Sequence, residues 1–181
     1  MEIEIRAKLK NPKKITEKLI SLGAVKHGEK KLCDYYFGDI GLYEKINHSF
    51  WIRLRVKENN KIELAYKGST DIDGVYDEYE QDLQDLDTAI AIFTKMGLTN
   101  EITVNKHRTS YKLGNISIEI DDFADWGTYI EAEIISENSD KKDLFEFFDS
   151  LGIPKEDIFE KGYITLMLEE KKSPFMKWIK N

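Results

Sequence analysis

The chain opens with Met1-Glu2-Ile3-Glu4-Ile5-Arg6-Ala7-Lys8, the stretch that decides the fold. Side chains alternate between the two faces of an extended strand, so Glu2, Glu4, Arg6 and Lys8 share one face and apolar residues take the other. Paired carboxylates suit a hard metal ion, and paired bases suit phosphate. Because the acidic pair runs straight into the basic pair, this strand is predicted to carry a functional site.

Composition and charge narrow the class of protein. The chain has 181 residues, of which 41% are hydrophobic and 34% charged, with a net charge of −7 and a pI near 5.1. We expect one domain over residues 1–172 with a tail at 173–181. We expect no nucleic-acid partner, since binding to a phosphate backbone needs clustered lysine and arginine side chains, and this chain is acidic. The single cysteine, Cys33, excludes an internal disulfide. We find no apolar run typical of a membrane span or signal sequence, and therefore expect a cytoplasmic protein with no membrane partner.

The periodicity predicts an antiparallel sheet with helices. Amphipathic helices are predicted at 12–22, 87–96 and 140–151, each followed by a glycine, and a further helix at 154–172. The short connections Asn59-Asn60 and Gly114-Asn115 predict hairpins. After the first strand, alternation predicts strands at 32–37, 50–58, 61–67, 75–83, 103–113, 116–122 and 129–135.

Nearly every predicted strand has one apolar and one charged face, and its charges come in same-sign pairs. An open sheet could turn such a face to water. Like charges repel on a strand face, however, so their grouping favours a ligand that balances them. About eight strands are enough to close a barrel. We therefore predict an α+β fold: a closed eight-stranded antiparallel β-barrel with helices packed outside and charges inside, suited to a polyphosphate and a divalent ion.

Several motifs then resemble one family. Glu2-x-Glu4-x-Arg6 resembles the Glu-x-Glu-x-Lys signature of the CYTH superfamily, the triphosphate tunnel metalloenzymes. This superfamily includes class IV adenylyl cyclases, thiamine triphosphatases and inorganic triphosphatases. The resemblance covers about residues 1–170 and continues, in order, through Asp34-Tyr35-Tyr36-Phe37, Ile52-Arg53-Leu54-Arg55, Leu64-Ala65-Tyr66-Lys67-Gly68, Glu78-Tyr79-Glu80, Lys106-x-Arg108, and Asp121 followed by Gly127 and Glu131-Ala132-Glu133.

The resemblance implies a site in which a divalent cation, Mg²⁺ or Mn²⁺, accompanies a bound triphosphate. The metal ligands it implies are Glu2, Glu4, Asp121, Glu131 and Glu133. The implied triphosphate-binding residues are Arg6, Lys8, Arg53, Arg55, Lys67, Lys106 and Arg108. An attacking water needs a carboxylate to orient and deprotonate it, and we assign Glu80, or Glu78, to that catalytic role with Lys67 nearby.

Three functions fit these residues. The first is hydrolysis of inorganic triphosphate or of a small organic triphosphate. This triphosphate substrate is the small-molecule partner that we expect. The second is a class IV adenylyl cyclase, although segment 38–49 lacks the His-Pro-x-Arg-Asp-Phe run associated with those cyclases. The third is a module that binds polyphosphate or a nucleotide without turnover. The 173–181 tail could cap the tunnel or pack on a partner chain, which leaves a homodimer open.

Overall fold

A computed structural model describes residues 2–69, 76–135 and 141–178, without the side chains of Glu2, Ile3, Ser69, Tyr76 and Ile135. Its strands are β1 Glu2–Lys8, β2 Val25–Gly38, β3 Phe50–Lys57, β4 Ile62–Ser69, β5 Tyr76–Leu83, β6 Thr99–Leu113, β7 Ile116–Phe123, β8 Gly127–Ile135 and β9 Ile158–Phe159. Its α-helices are α1 Pro12–Ser21, α2 Ile40–Ile46, α3 Leu86–Lys95, α4 Lys141–Ser150 and α5 Tyr163–Glu170. Short 3₁₀ turns cover 155–157 and 174–177.

The strands form one large antiparallel sheet, in the order β5-β4-β3-β2-β6-β7-β8-β1-β9. This confirms the α+β class. The strands β5 and β9 end the order, and over the described residues no strand pairing joins them. Because the sheet is not closed by hydrogen bonds, the predicted closed barrel of eight strands is not confirmed. The ninth strand, β9, contributes only two residues, which pair with Arg6 and Ala7 of β1.

The chain divides into two compact units. The first unit comprises residues 1–31 and 106–161, and the second comprises 32–105 and 162–181. Two of the three boundaries fall inside strands, within β2 and within β6, and the third lies between β9 and α5.

The first unit has a closely packed apolar core on one side of its strands. Ile5, Ile118 and Ile130 are fully buried on this side. They belong to one core cluster with Leu19 of α1 and Leu144 of α4. Because alternation sends the other residues of these strands to the opposite face, the charged side chains of β1, β7 and β8 lie together there.

The second unit covers its apolar face less completely. The ring of Phe93 in α3 contacts that of Phe37 in β2, with 5.4 Å between the centroids. Nearby lies a cavity of about 350 Å³ lined by Ile52, Leu64, Tyr66, Tyr79, Glu80, Gln81 and Phe93. Tyr79 at its margin is 70% exposed. The apolar side of this unit therefore leaves space beside Phe93 of α3.

The described part of the C-terminal tail packs onto the second unit. Phe175 is buried, and its ring contacts those of Tyr43 in α2 and Trp51 in β3. The hydroxyl of Tyr43 donates a hydrogen bond to the carbonyl of Phe50, which fixes α2 beside β3. Residues 179–181 lie outside the described residues.

The predicted helix ends are confirmed by backbone geometry. The side chain of Asn11 caps α1 by accepting a hydrogen bond from the amide of Lys14. Gly23, Gly97 and Gly152, which follow α1, α3 and α4, have φ values of +92°, +90° and +77°. A positive φ is nearly free of cost only for glycine, so these residues end the helices.

Two predictions of secondary structure are wrong. The segment 154–172 is not one helix but a 3₁₀ turn, the strand β9 and the helix α5, which begins after Gly162. The helix α2 lies where no element was predicted; its cap is Asp39, whose carboxylate accepts from the amide of Leu42. No helix within the described ranges is long and apolar enough to cross a membrane.

Candidate functional site

The first cluster is the set of charged side chains on the strand face opposite the core of the first unit. Its members come from β1, β6, β7 and β8, all of which pair antiparallel in register. They are Glu4, Arg6, Lys106, Arg108, Glu119, Asp121, Glu131 and Glu133.

Asp121 is the most buried acid of the first cluster, with no exposed surface. Arg108 lies directly opposite on β6 and donates from Nε to Oδ1 at 2.6 Å and from Nη2 to Oδ2 at 2.5 Å. Lys106 donates from Nζ to Oδ2 at 2.8 Å. Burial alone would raise the pKa of Asp121, but the bonds and charges of Arg108 and Lys106 outweigh it and lower that pKa.

Aromatic rings surround this buried acid. Tyr129 is directly opposite Asp121 on β8. The Trp126 ring stacks on the Tyr129 ring, with 4.5 Å between the two ring centroids. Phe123, two residues beyond Asp121 on β7, meets Tyr129 edge-on, and Lys106 Nζ lies 5.4 Å from the Phe123 ring centre. Such apolar cover lowers the local dielectric and strengthens the ionic bonds beneath it.

A second group of carboxylates in the first cluster surrounds Arg6. Arg6 is buried, and its Nη2 and Nε lie 2.6 Å from Oε2 of Glu4 and 2.6 Å from Oε2 of Glu131 respectively. Glu4 on β1 lies directly opposite Glu133 on β8. Like charges that face each other across paired strands are unfavourable, which favours cations beside them, as Arg6 lies beside Glu4.

The donor set fits a divalent metal in its chemistry. Glu4, Glu131 and Glu133 supply carboxylate oxygens, which Mg²⁺ and Mn²⁺ prefer. Asp121 differs from them because both of its oxygens already accept from Arg108 and Lys106. Over the ranges that the structure describes, no three His, Cys, Asp or Glu side chains are arranged to hold an ion. The Glu2 side chain, also predicted as a ligand, lies outside the described ones.

The second cluster is the corresponding set of charged side chains on one strand face of the second unit. It occupies β2, β3, β4 and β5, which pair antiparallel. Its members are Asp34, Tyr36, Arg53, Arg55, Lys57, Glu63, Lys67, Glu78 and Glu80.

Asp34 and Arg55 repeat in the second cluster the bond found in the first. They are directly opposite on β2 and β3, and Arg55 donates from Nε to Oδ1 and from Nη2 to Oδ2, both at 2.7 Å. Asp34 is buried. Burial raises the pKa of the neighbouring Tyr36 hydroxyl, and the Asp34 charge raises it further, so Tyr36 stays protonated at neutral pH.

Arg53 is the buried cation at the centre of the second cluster. Only 6% of its surface is exposed, and its Nη2 donates to Glu63 at 2.8 Å and to Glu80 at 3.0 Å. The strand between Arg53 and Glu80 presents Ala65, whose short side chain leaves the long arginine room to reach across. Among the described residues, the buried Nε of Arg53 has no hydrogen-bond partner. An unused buried donor is costly and is expected to meet a ligand.

Glu78 and Glu80 have different environments. Glu78 is directly opposite Lys67, and its Oε1 lies 2.6 Å from Lys67 Nζ. Burial would raise the pKa of Glu78, but the Lys67 hydrogen bond and charge prevail and lower it. The side chain of Glu80 is 49% exposed. Glu80 is thus an accessible carboxylate beside a buried arginine.

The structure places the predicted site residues in the two clusters, with two exceptions. Lys8 is exposed, and its Nζ lies 5.4 Å from the Tyr129 ring centre; the other exception is Glu2. Asp34, Glu63 and Glu119 also lie in the clusters but were not predicted as site residues. Their role follows from register, because Asp34 faces Arg55, Glu63 faces Arg55 beside Arg53, and Glu119 faces Glu131.

Comparison with known proteins identifies the family. The family model of the CYTH domain matches residues 1–163, which is most of the chain. The chain belongs to the CYTH domain family. Both clusters lie within the matched CYTH region, and the motifs that resembled this superfamily in the sequence supply most of their residues.

Individual relatives cover nearly the whole CYTH chain. A protein of Methanocaldococcus jannaschii named "Putative adenylate cyclase MJ0240" is 28% identical over 174 residues, 92% of this chain and 98% of its own. The PH1012 protein of Pyrococcus horikoshii OT3 has a similar structure, with 30% identity, a TM-score of 0.77, and coverage of 92% and 99%.

A plant structure shares the fold at lower identity. The Hippeastrum protein, described as a "putative adenylyl cyclase" with a dominant triphosphatase activity, is 18% identical with a TM-score of 0.61. The match covers 96% of this chain and 97% of that chain. At this identity the likeness supports the CYTH fold alone.

Proposed function

We propose that this protein hydrolyses inorganic triphosphate, or a small organic triphosphate, with the help of a divalent cation. The observation that carries the proposal is Arg53, a buried arginine whose Nε has no hydrogen-bond partner among the described residues. An arginine fork binds phosphate oxygens with charge-assisted hydrogen bonds, which are about twice as strong as neutral ones.

Fixed basic side chains are proposed to bind the phosphate chain. Phosphoryl transfer is catalysed mainly by positioning and by stabilising the charge that develops on oxygen, so a set of fixed cations is well suited to it. The proposed ligands of the phosphate chain are Arg6, Lys8, Arg53, Arg55, Lys67, Lys106 and Arg108.

The acidic side chains divide into two roles. Glu4, Glu131 and Glu133, with Glu2, would hold the cation, which when bound supplies charge stabilisation at the phosphate oxygens. Glu80 is the proposed general base that takes a proton from the attacking water, because its side chain is accessible and accepts from Arg53. Glu78 is the weaker candidate, since Lys67 lowers its pKa and so reduces its basicity.

Adenylyl cyclase activity is the second candidate function, favoured by the name of the Methanocaldococcus jannaschii relative. In that reaction the ribose 3′-oxygen would attack in place of water, and pyrophosphate would leave. Residues 40–46, in the segment that lacks the His-Pro-x-Arg-Asp-Phe run, form the helix α2 instead. The hydrolase proposal therefore stands first.

A product assay separates these functions. The purified protein is incubated with Mg²⁺ or Mn²⁺ and with triphosphate, ATP or thiamine triphosphate, and phosphate, pyrophosphate and cyclic AMP are measured. Phosphate release from triphosphate with negligible cyclic AMP from ATP is the expected result. Cyclic AMP with equimolar pyrophosphate would establish the cyclase.

Calorimetry beside the product assay tests whether the protein only binds triphosphate without turnover. Tripolyphosphate that binds by calorimetry but is not consumed with either metal would reject the enzyme. The variant Glu80→Gln keeps the shape and the acceptor of the Arg53 bond, so it should bind tripolyphosphate as the unmodified chain does but hydrolyse it at least about tenfold more slowly. Unchanged turnover would remove Glu80 from the base role.

A further inference from the structure

The acid Asp121 does not fit the ligand set that the family resemblance implies for it. Its side chain has no exposed surface, and three nitrogen–oxygen bonds of 2.5 to 2.8 Å use both carboxylate oxygens. A metal ion bound at Asp121 would have to displace cations that already neutralise it, inside an apolar surrounding where an unpaired cation is costly.

We infer that Asp121 is a positioning residue that holds Arg108 and Lys106 for the phosphate chain, and that it is not a metal ligand. This inference rests on the proposed function, since it takes a triphosphate as the substrate. It leaves the metal to Glu4, Glu131 and Glu133, with Glu2.

The geometry of the arginine supports the inference. A guanidinium has five N–H donors, and a carboxylate that binds side-on takes one from Nε and one from Nη2. This is how Asp121 holds Arg108. The pair fixes the plane of the guanidinium and directs Nη1 away from the carboxylate. Within the described part of the chain, no residue accepts a hydrogen bond from Arg108 Nη1.

The surroundings explain why the arginine stays in place. Lys106 adds a third nitrogen to the same carboxylate, and its Nζ lies 5.4 Å from the Phe123 ring centre, while Tyr129 is directly opposite Asp121 on β8. Glu119 and Glu131 lie 3.9 and 3.8 Å from the Arg108 guanidinium, which is beyond a direct hydrogen bond. Asp121 is thus the carboxylate that orients Arg108.

A positioning role and a ligand role predict opposite losses. The variant Asp121→Asn keeps the size of the side chain and removes its charge. Tripolyphosphate binding is measured by calorimetry in EDTA, and Mn²⁺ binding by electron paramagnetic resonance without phosphate. We expect Asp121→Asn to bind tripolyphosphate at least tenfold more weakly while its Mn²⁺ affinity stays within twofold.

Two variants serve as controls. Glu133→Gln should show the reverse pattern, with Mn²⁺ affinity lost and tripolyphosphate binding in EDTA retained. Asp122→Asn changes the exposed neighbour of Asp121 and should leave both measurements unchanged. Should Asp121→Asn fail to fold, the double variant Asp121→Asn/Arg108→Gln removes the unpaired arginine charge as well, and its Mn²⁺ affinity is then compared with that of the unmodified chain.

The outcomes separate this inference from the proposed function. Loss of Mn²⁺ affinity in Asp121→Asn, or in the double variant, overturns the inference whatever the phosphate result. Unchanged tripolyphosphate binding in Asp121→Asn overturns it also. If the unmodified chain binds no tripolyphosphate, the proposed function fails first and the inference fails with it, a result seen before any variant is tested.

Discussion

The two clusters share one device and differ in what surrounds it. In each, a buried aspartate accepts hydrogen bonds from Nε and Nη2 of an arginine directly opposite on the next strand. The pairs are Asp121 with Arg108 and Asp34 with Arg55. The first cluster adds a lysine to this aspartate. The comparison teaches that the fold fixes an arginine in each unit by the same cross-strand pair.

The remaining acids distinguish the clusters. In the first, Glu4 faces Glu133 across two strands, which favours a metal. In the second, Glu63 and Glu80 both accept from Arg53, as Glu4 and Glu131 both bind Arg6 in the first, but over the described residues no two acids of the second cluster lie directly opposite each other. We therefore expect the divalent cation to bind in the first cluster rather than in the second.

The largest expected effect tests the metal role of the first cluster. Glu4→Gln removes a charged oxygen ligand and should lower metal-dependent triphosphate turnover roughly 100-fold or more, because a catalytic metal is worth several kcal/mol. Phosphate release is measured over a range of Mn²⁺ concentrations. Glu17→Gln, an exposed change on α1, is the control. Turnover that survives in Glu4→Gln would remove Glu4 from the metal set and weaken the contrast between the clusters.

The next effect compares the two buried aspartates in stability. Asp121→Asn and Asp34→Asn each remove a buried carboxylate that binds a half-buried arginine through two hydrogen bonds, which costs about 3–5 kcal/mol in the free energy of unfolding. Asp121→Asn should cost more, because it also weakens the hydrogen bond that Lys106 donates to this side chain. Denaturant unfolding measures both, with Asp122→Asn as an exposed control. Equal losses would show that Lys106 adds little to the first pair.

A smaller effect compares the apolar sides of the two units. Ile118→Phe overfills a fully buried site and should lower the free energy of unfolding by about 1–3 kcal/mol. Leu64→Phe extends into the cavity of about 350 Å³ and should cost less than about 1 kcal/mol. Urea unfolding of both variants tests this. An equal cost would mean that the second unit cannot use its cavity.

The smallest effect concerns acid stability. The pKa of Asp121 is lower in the folded protein than its ordinary value of about 3.9. The stability that this group contributes is therefore fully present above about pH 4 and is lost as the pH falls through the folded pKa. Glu63 and Glu78 also have lowered pKa values and act in the same direction.

The variant Asp121→Asn isolates this contribution. Its free energy of unfolding should fall less steeply between about pH 5 and pH 2 than that of the unmodified chain, because asparagine does not titrate. Unfolding curves at a series of pH values check the slope. Identical slopes would show that Asp121 does not contribute to the acid sensitivity.

Much of the fold and site could be predicted from the sequence. Period-two alternation from Glu2 to Lys8 defines a strand with a charged face, and the glycines after α1, α3 and α4 mark where those helices end. The grouping of like charges on single strands, together with the CYTH motifs, identified the family that the comparison established. These signals are local, so they can be read along the chain.

Tertiary structure decided the rest. Which acid meets which base depends on strand register, which brings Asp121 to Arg108 across 13 positions and Arg6 to Glu131 across 125. The structure also shows that both carboxylate oxygens of Asp121 accept hydrogen bonds from Arg108 and Lys106, which a sequence motif cannot indicate. The segment 154–172 looked helical because its apolar spacing is local, but Ile158 and Phe159 instead pair with β1. Local spacing fixes the face on which a side chain lies; only the pairing of distant strands fixes its partner.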